Sequence, residues 1–288
     1  MMIIKIDNLN YVYNEGTPFV KKALDSINLE VKNGEFIGLI GHTGSGKSTL
    51  VQHLNGLIRV QSGSLFIDGF DISKKETKLK KIRQKVGLVF QYPEYQLFEE
   101  TIAKDIAFGP KNLGLSEEEI NQRVIEAMEI VGLDYESLKD RSPFELSGGQ
   151  KRRVAIAGVV AMKPKVLVLD EPTAGLDPHG RDEILSEICD LFKKGGITVV
   201  LVSHNMEDIA RIVDRILVMD NGKIVMDDLP REIFKRRQEL EDIGLGIPQI
   251  TKFMQEYSEL GHNIKTDILT VEEAKEELIR YLRSDKNA

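Results

Sequence analysis

Four short segments of this chain are apolar at nearly every position: Glu35–Gly41, Val86–Gln91, Lys165–Asp170 and Thr198–His204. A strand with one wet face alternates apolar and polar residues, whereas a strand covered on both faces reads as a continuous Val, Ile and Leu run. The pattern predicts parallel strands layered between helices. Two other segments, Ser62–Ile72 and Asp214–Asp228, carry Asp68-Gly69 and Asn221-Gly222 at their centres and predict antiparallel hairpins. Helix signals fall between these runs. Gly46–Leu57 follows the first buried strand. Ser116 and Glu119 form a capping box ahead of Ile120–Val131, and Ser147 caps a helix reaching Met162.

The resulting architecture is α/β, with residues 94–162 forming a helical subdomain inserted into a βαβ core. After Leu229 the strand signals stop. Pro230 opens a helix, Gly244, Gly246 and Pro248 break the chain, and two more helices follow, the last behind the capping box Thr270 to Glu273. The expected domains are residues 1–228 and a helical extension over 229–288.

Composition narrows the class. With 41% hydrophobic and 30% charged residues in 288, the chain can bury a sizeable core. A formal net charge of −7 leaves no general electrostatic footprint for nucleic acid, although it leaves room for a local basic patch, and no nucleic acid is expected as a partner. Cys189 is the only cysteine, which rules out a disulfide framework and a Cys-based zinc site. The start, MMIIKIDNLNYVY, lacks the pattern of a signal peptide. The longest apolar run, Val154–Met162, falls well short of the roughly 18 residues that cross a bilayer.

The chemistry enters at Gly41-His42-Thr43-Gly44-Ser45-Gly46-Lys47-Ser48-Thr49, a match to G-x-x-x-x-G-K-[ST] between a buried strand and a helix. Glycines let backbone N–H groups turn inward around phosphate oxygens, and the following helix points its positive end at them. Lys47 is expected on the β- and γ-phosphates and Ser48 on Mg²⁺. The strand Val166–Leu169 ends in Asp170 and Glu171. Asp170 is expected to orient Mg²⁺, and Glu171 to take a proton from the attacking water. Taken alone, two carboxylates at a strand end read as an acidic surface terminus; the phosphate loop gives them a purpose. Gln91 and His204 close two other strands. Parallel strand ends share one crevice, so Gln91 is a candidate for Mg²⁺ and the water, and His204 for the γ-phosphate.

Leu146-Ser147-Gly148-Gly149-Gln150 opens a helix and offers a second anion site in Ser147 and the backbone of Gly148 and Gly149. One ATP cannot easily use both sites within one chain, which points to a dimer with ATP clamped between protomers.

At this point the sequence resembles the ATPase subunits of ATP-binding cassette (ABC) transporters. The motifs match in order and spacing over about the first 230 residues: Gly41 to Thr49, Gln91, Leu146 to Gln150, Val166 to Glu171, Ala174 to Asp177 and His204. The resemblance implies a P-loop NTPase core and a head-to-tail dimer that closes on ATP. It also implies that Tyr13 stacks on adenine, with Tyr11 the competing choice, and that Asp177 couples the two sites, although Asp177 also reads as a helix N-cap. The wording Gly41 to Gly46, the segment Gln91 to Phe98 with Ala107 to Pro110, and the short helical extension resemble the ATPases of energy-coupling factor transporters, importers of vitamins and transition-metal ions. That branch implies a second ATPase subunit, a transmembrane coupling protein and a substrate-capture membrane subunit as partners. It places the chain on the cytoplasmic face of the cell membrane. Glu94 is then a candidate to meet a basic residue of the membrane partner, beside the apolar Tyr92, Tyr95, Leu97 and Phe98. Another ABC importer or exporter stays open as an alternative. A chromosome or repair ATPase would carry a long coiled coil between the phosphate loop and Leu146, and this chain has none.

Overall fold

The strands of the computed structural model, which describes residues 1–285, fall into two sheets. An antiparallel sheet has the order β2-β1-β4-β5, from β1 (Met2–Tyr13), β2 (Lys21–Lys32), β4 (Ser62–Ile67) and β5 (Phe70–Asp71). A six-stranded sheet has the order β10-β9-β3-β8-β7-β6, from β3 (Phe36–Ile40), β6 (Val86–Val89), β7 (Val166–Asp170), β8 (Thr198–Val202), β9 (Arg215–Asp220) and β10 (Lys223–Asp228). All neighbours in this sheet are parallel except the β9–β10 hairpin.

The four continuous apolar runs are β3, β8, β7 and β6, consecutive parallel neighbours that end at the β6 edge of the sheet. Their residues alternate between two cores, as the period of two requires. Phe36, Ile40, Leu167, Leu169, Val199 and Leu201 face one core, and Ile37, Leu39, Val166, Val168, Val200 and Val202 the other. The second core is closed by α1 (Lys47–Leu54), α2 (Leu79–Lys85) and the antiparallel sheet. The first is closed by α3 (Ile102–Leu113), α4 (Glu117–Ile130), α5 (Tyr135–Leu138), α6 (Gly148–Val160), α7 (Pro178–Gly195) and α8 (Met206–Ile212).

The extension holds α9 (Pro230–Lys235), α10 (Arg237–Asp242), α11 (Gln249–Glu259) and α12 (Val271–Asp285). Ile233, Phe234 and Leu240 of α9 and α10 are buried in the first core, while α11 and α12 share a small cluster around Met254, Ile264, Ile268 and Ala274. The last three residues of the expected 229–288 extension lie outside the described residues.

Several boundaries differ from the sequence reading. The helix after the phosphate loop stops at Leu54, because Gly56 turns the chain at φ +67°. The helix opened by Pro230 breaks at Arg236 (φ −86°, ψ 50°), so two short helices stand where one was expected. Helix α2 carries no apolar stripe beyond Leu79 and Ile82 and gave no signal. Among the described residues, no helix is long and apolar enough to cross a membrane.

Candidate functional site

Because β3, β8, β7 and β6 are parallel neighbours, their carboxyl ends open on one edge of the sheet. The phosphate loop follows β3, His204 follows β8, Asp170 and Glu171 end β7, and Gln91 follows β6. Topology alone therefore assembles residues up to 163 positions apart in the chain.

The phosphate loop is held by contacts that only glycine permits. A Cβ on Gly41 would lie 2.4 Å from the Met219 carbonyl oxygen, and one on Gly46 would lie 2.5 Å from that of Ala23. Gly46 also has φ +110°. Gly46→Ala is expected to cost about 2–5 kcal/mol, from a strained backbone plus a forced shift of β2. Urea denaturation checks this, and an unchanged midpoint would contradict it. The β9–β10 turn braces the loop from the other side. Gly222 N–H donates to the Ser45 carbonyl at 2.9 Å, and His42 Nε2 lies 2.8 Å from Asp220 Oδ1. The sequence marked Asn221-Gly222 as a hairpin turn but gave no sign that it supports the loop, since that contact joins residues 177 positions apart.

The Lys47 ammonium donates to the carbonyls of Gly41 (2.7 Å) and His42 (3.1 Å), bridging the mouth of the loop. Burial pulls its pKa below the usual lysine range, opposed by the Glu171 and Asp170 carboxylates. Ser48 and Thr43 are exposed, whereas Thr49 is buried. Tyr13 reaches the loop helix through its hydroxyl, 3.3 Å from Thr49 Oγ1. Tyr11 stands edge-on to Tyr13 and His53 and packs against the second core, so Tyr13 is the outer ring of the pair.

Glu171 is the hub of the acidic side. Its Oε1 lies 2.5 Å from His204 Nε2, and its Oε2 accepts from Gln91 Nε2 at 3.0 Å. Its backbone is left-handed (φ +51°) while its N–H stays bonded to the Val202 carbonyl. Strain of this kind, about 1–3 kcal/mol, persists only where the surroundings enforce it. Burial and the adjacent Glu171 carboxylate push the Asp170 carboxyl above its usual range, opposed by Lys47 and His204. A carboxylate in that state gains from a cation. Gln91 donates through nitrogen to Glu171, which leaves its amide oxygen uncommitted by that bond. Asp170, Ser48 and Gln91 all offer oxygen donors, the chemistry that suits Mg²⁺ with phosphate and water completing the shell, and these are the residues that would hold it.

Ser147, Gly148, Gly149 and Gln150 are not drawn into this cluster. Ser147 Oγ accepts from Gln150 N–H, and Gln150 Oε1 accepts from Ser147 N–H, a capping box closed within its own turn. Asp177 caps α7 by accepting from Gly180 N–H at 3.0 Å, which lowers its pKa. The N-cap reading of Asp177 thus describes this protomer.

Glu94 is not a free loop carboxylate, because it is held within its own chain. Both its oxygens accept from Arg152, at 2.9 and 3.1 Å, and the same guanidinium donates to the carbonyls of Pro172 (3.0 Å) and Ala174 (2.8 Å). At 2% exposure Arg152 is the largest fully buried side chain. Sequence reasoning missed it, because an arginine directly after Gln150-Lys151 looks like solvated helix surface.

The family model described as ABC transporter matches residues 24–174. The energy-coupling factor transporter ATP-binding protein EcfA2 of Clostridium tetani is 65% identical over 283 residues, covering 98% of each chain. The solved structure of CbiO1 from Clostridium perfringens, titled as part of the ABC transporter complex cbiONQ, superposes with a TM-score of 0.75 at 40% identity over 88% of this chain and 99% of its own. An ATP-binding cassette dimer in a post-hydrolysis state, bound to ADP and Pi, superposes with a TM-score of 0.69 at 30% identity over 79% of this chain and 98% of its own. The chain belongs to the ABC transporter family and is an ATPase built on the P-loop NTPase fold. Within that family it falls among the ATP-binding proteins of energy-coupling factor transporters.

Proposed function

We propose that this chain couples ATP binding and hydrolysis at a dimer interface to import of a vitamin or transition-metal ion. It works as a peripheral subunit on the cytoplasmic face of the cell membrane. The observation that carries this reading is the division of the anion sites. Phosphate loop, Asp170, Glu171, Gln91 and His204 share one edge of the sheet, while in the Ser147–Gln150 turn Ser147 and Gly148 are exposed, Gly149 and Gln150 are half-buried, and the Ser147 and Gln150 side chains bond within the turn. A head-to-tail second ATPase subunit, identical or related, supplies the missing half to each site. Asp177, at the exposed start of α7, then lies at the joint between them.

Bound Mg²⁺, held by Ser48, Asp170 and Gln91, supplies neutralisation of phosphate charge. The chain does the rest. Lys47 and the loop backbone bind the triphosphate, Tyr13 covers the adenine, Glu171 accepts a proton from water, and His204 fixes the Glu171 carboxylate and faces the γ-phosphate. Lys47→Ala removes one charge from a buried pair with phosphate, worth about 2–5 kcal/mol of binding. ATP affinity is expected to fall roughly 30-fold or more by equilibrium titration. Wild-type affinity would defeat the assignment of the loop.

A groove lined by Leu97, Phe98, Phe108, Val159 and Met162 lies beside the Gln91 segment, with Lys80 and Arg83 on its rim. Phe98 and Phe108 meet edge to face and remain half exposed. This surface suits a cytoplasmic helix of the transmembrane coupling protein, which in turn carries the substrate-capture subunit. Affinity purification from membranes tests the reading. A multi-helix membrane protein with a second ATPase supports it, and a conventional permease pair with a separate binding protein argues for another ABC importer.

A further inference from the structure

The β1–β2 hairpin brings a second lysine to the phosphate loop. Lys21 opens β2 directly across from Tyr13, the two residues being register partners. The strand it begins runs against the loop, since Ala23 presents its carbonyl to Gly46. A Cβ placed on Gly44 would find the Lys21 ammonium 3.7 Å away, and no other atom from beyond the adjoining residues within 4 Å. The neighbouring cations are spoken for: Lys22 and Lys223 both pair with Asp25. Among the described residues Lys21 has no carboxylate partner, and it is exposed. A long, solvated side chain does not hold its charge over a backbone turn for the turn's own benefit, because the N–H groups there carry partial positive charge.

We infer that Lys21 is a second phosphate-binding lysine, lying outside the G-x-x-x-x-G-K-[ST] motif, which contacts the phosphate chain of ATP from the hairpin side of Gly44. The inference rests on the phosphate loop being the ATP site. The tip of one hairpin then offers two complementary groups at one level, a tyrosine ring for the base and an ammonium for the phosphates. Lys47 approaches the same phosphates from within the loop, so the triphosphate charge is met from two sides. An exposed ion contact of this kind is screened by salt, unlike the buried Lys47 contact.

The test is ATP affinity of the full-length chain across a charge series at position 21, with Lys47→Ala in parallel. At about 20 mM salt, Lys21→Gln is expected to weaken ATP binding about fivefold and Lys21→Glu at least about tenfold, while Lys21→Arg stays near wild type. At about 0.5 M salt the series should collapse toward one value. Thermal midpoints should be unchanged throughout, because Lys21 holds nothing in the fold. Affinities within twofold of one another at low salt, with Lys47→Ala still defective, overturn the role of Lys21 alone. A Lys47→Ala chain that binds ATP normally overturns the site itself.

Discussion

Glu171→Gln is expected to retain ATP and to lose about 10²–10⁴-fold in turnover, the range for removing a general base. Both oxygens of Glu171 are committed, one to His204 Nε2 and one to Gln91 Nε2. The substitution preserves the shape, the left-handed backbone and at least one of these contacts. An amide, however, has no oxygen basic enough to take a proton from water at neutral pH. It also presents an N–H₂ on one side, so both contacts persist only where the amide oxygen faces Gln91 and the N–H₂ faces an unprotonated His204 Nε2. Binding should survive, because Lys47 is held by the Gly41 and His42 carbonyls rather than by a hydrogen bond to this carboxylate. The expected result is a chain that elutes as a dimer in ATP and releases phosphate slowly. Wild-type phosphate release would take the proton-accepting role away from Glu171.

That expectation could be framed from sequence because the site is built where backbone geometry restricts residue choice. The phosphate loop needs glycine at Gly41 and Gly46, where a side chain would collide with neighbouring strands, and such restrictions are written into a local motif. The four consecutive parallel strands β3, β8, β7 and β6 were equally legible, because burial on both faces leaves no room for polar residues. Legibility fails where a contact joins distant positions without constraining either locally. His42 with Asp220, and Gly222 with Ser45, brace the loop through a hairpin whose turn sequence reports only the turn. The break at Arg236 was hidden for another reason: Pro230–Asp242 carries apolar residues at helical spacing on both sides of it, so periodicity reads straight through. Glu94 shows the most instructive failure. A loop carboxylate beside apolar residues suggested an open contact for a partner, yet its partner is Arg152 of the same chain, 58 residues on.

Arg152→Ala is expected to cost about 3–5 kcal/mol of stability, the toll of breaking a buried ion pair from one side. The Glu94 side chain, 16% exposed, would keep its charge and lose its cation. The carbonyls of Pro172 and Ala174 would lose their donor in the same step. Lysine cannot repair this. Its ammonium places a single point charge where a planar fork now serves a carboxylate and two carbonyls at once, so Arg152→Lys should recover only part of the loss. The consequence goes beyond stability, because of which segments the guanidinium joins. Glu94 follows Gln91, Arg152 lies on the helix capped by Ser147, and Pro172 and Ala174 lie between Glu171 and Asp177. One side chain therefore ties the groove-bearing segment, the turn proposed to meet a second protomer and the carboxylate hub into one body. Urea denaturation of Arg152→Ala, Glu94→Gln and the double variant gives the coupling energy directly. A double variant no worse than Arg152→Ala alone is the expected outcome, since Glu94 without its arginine is a liability that Gln removes. Strict additivity of the two single losses would show that the pair contributes nothing as a pair, and that Arg152 holds the fold through the two carbonyls alone.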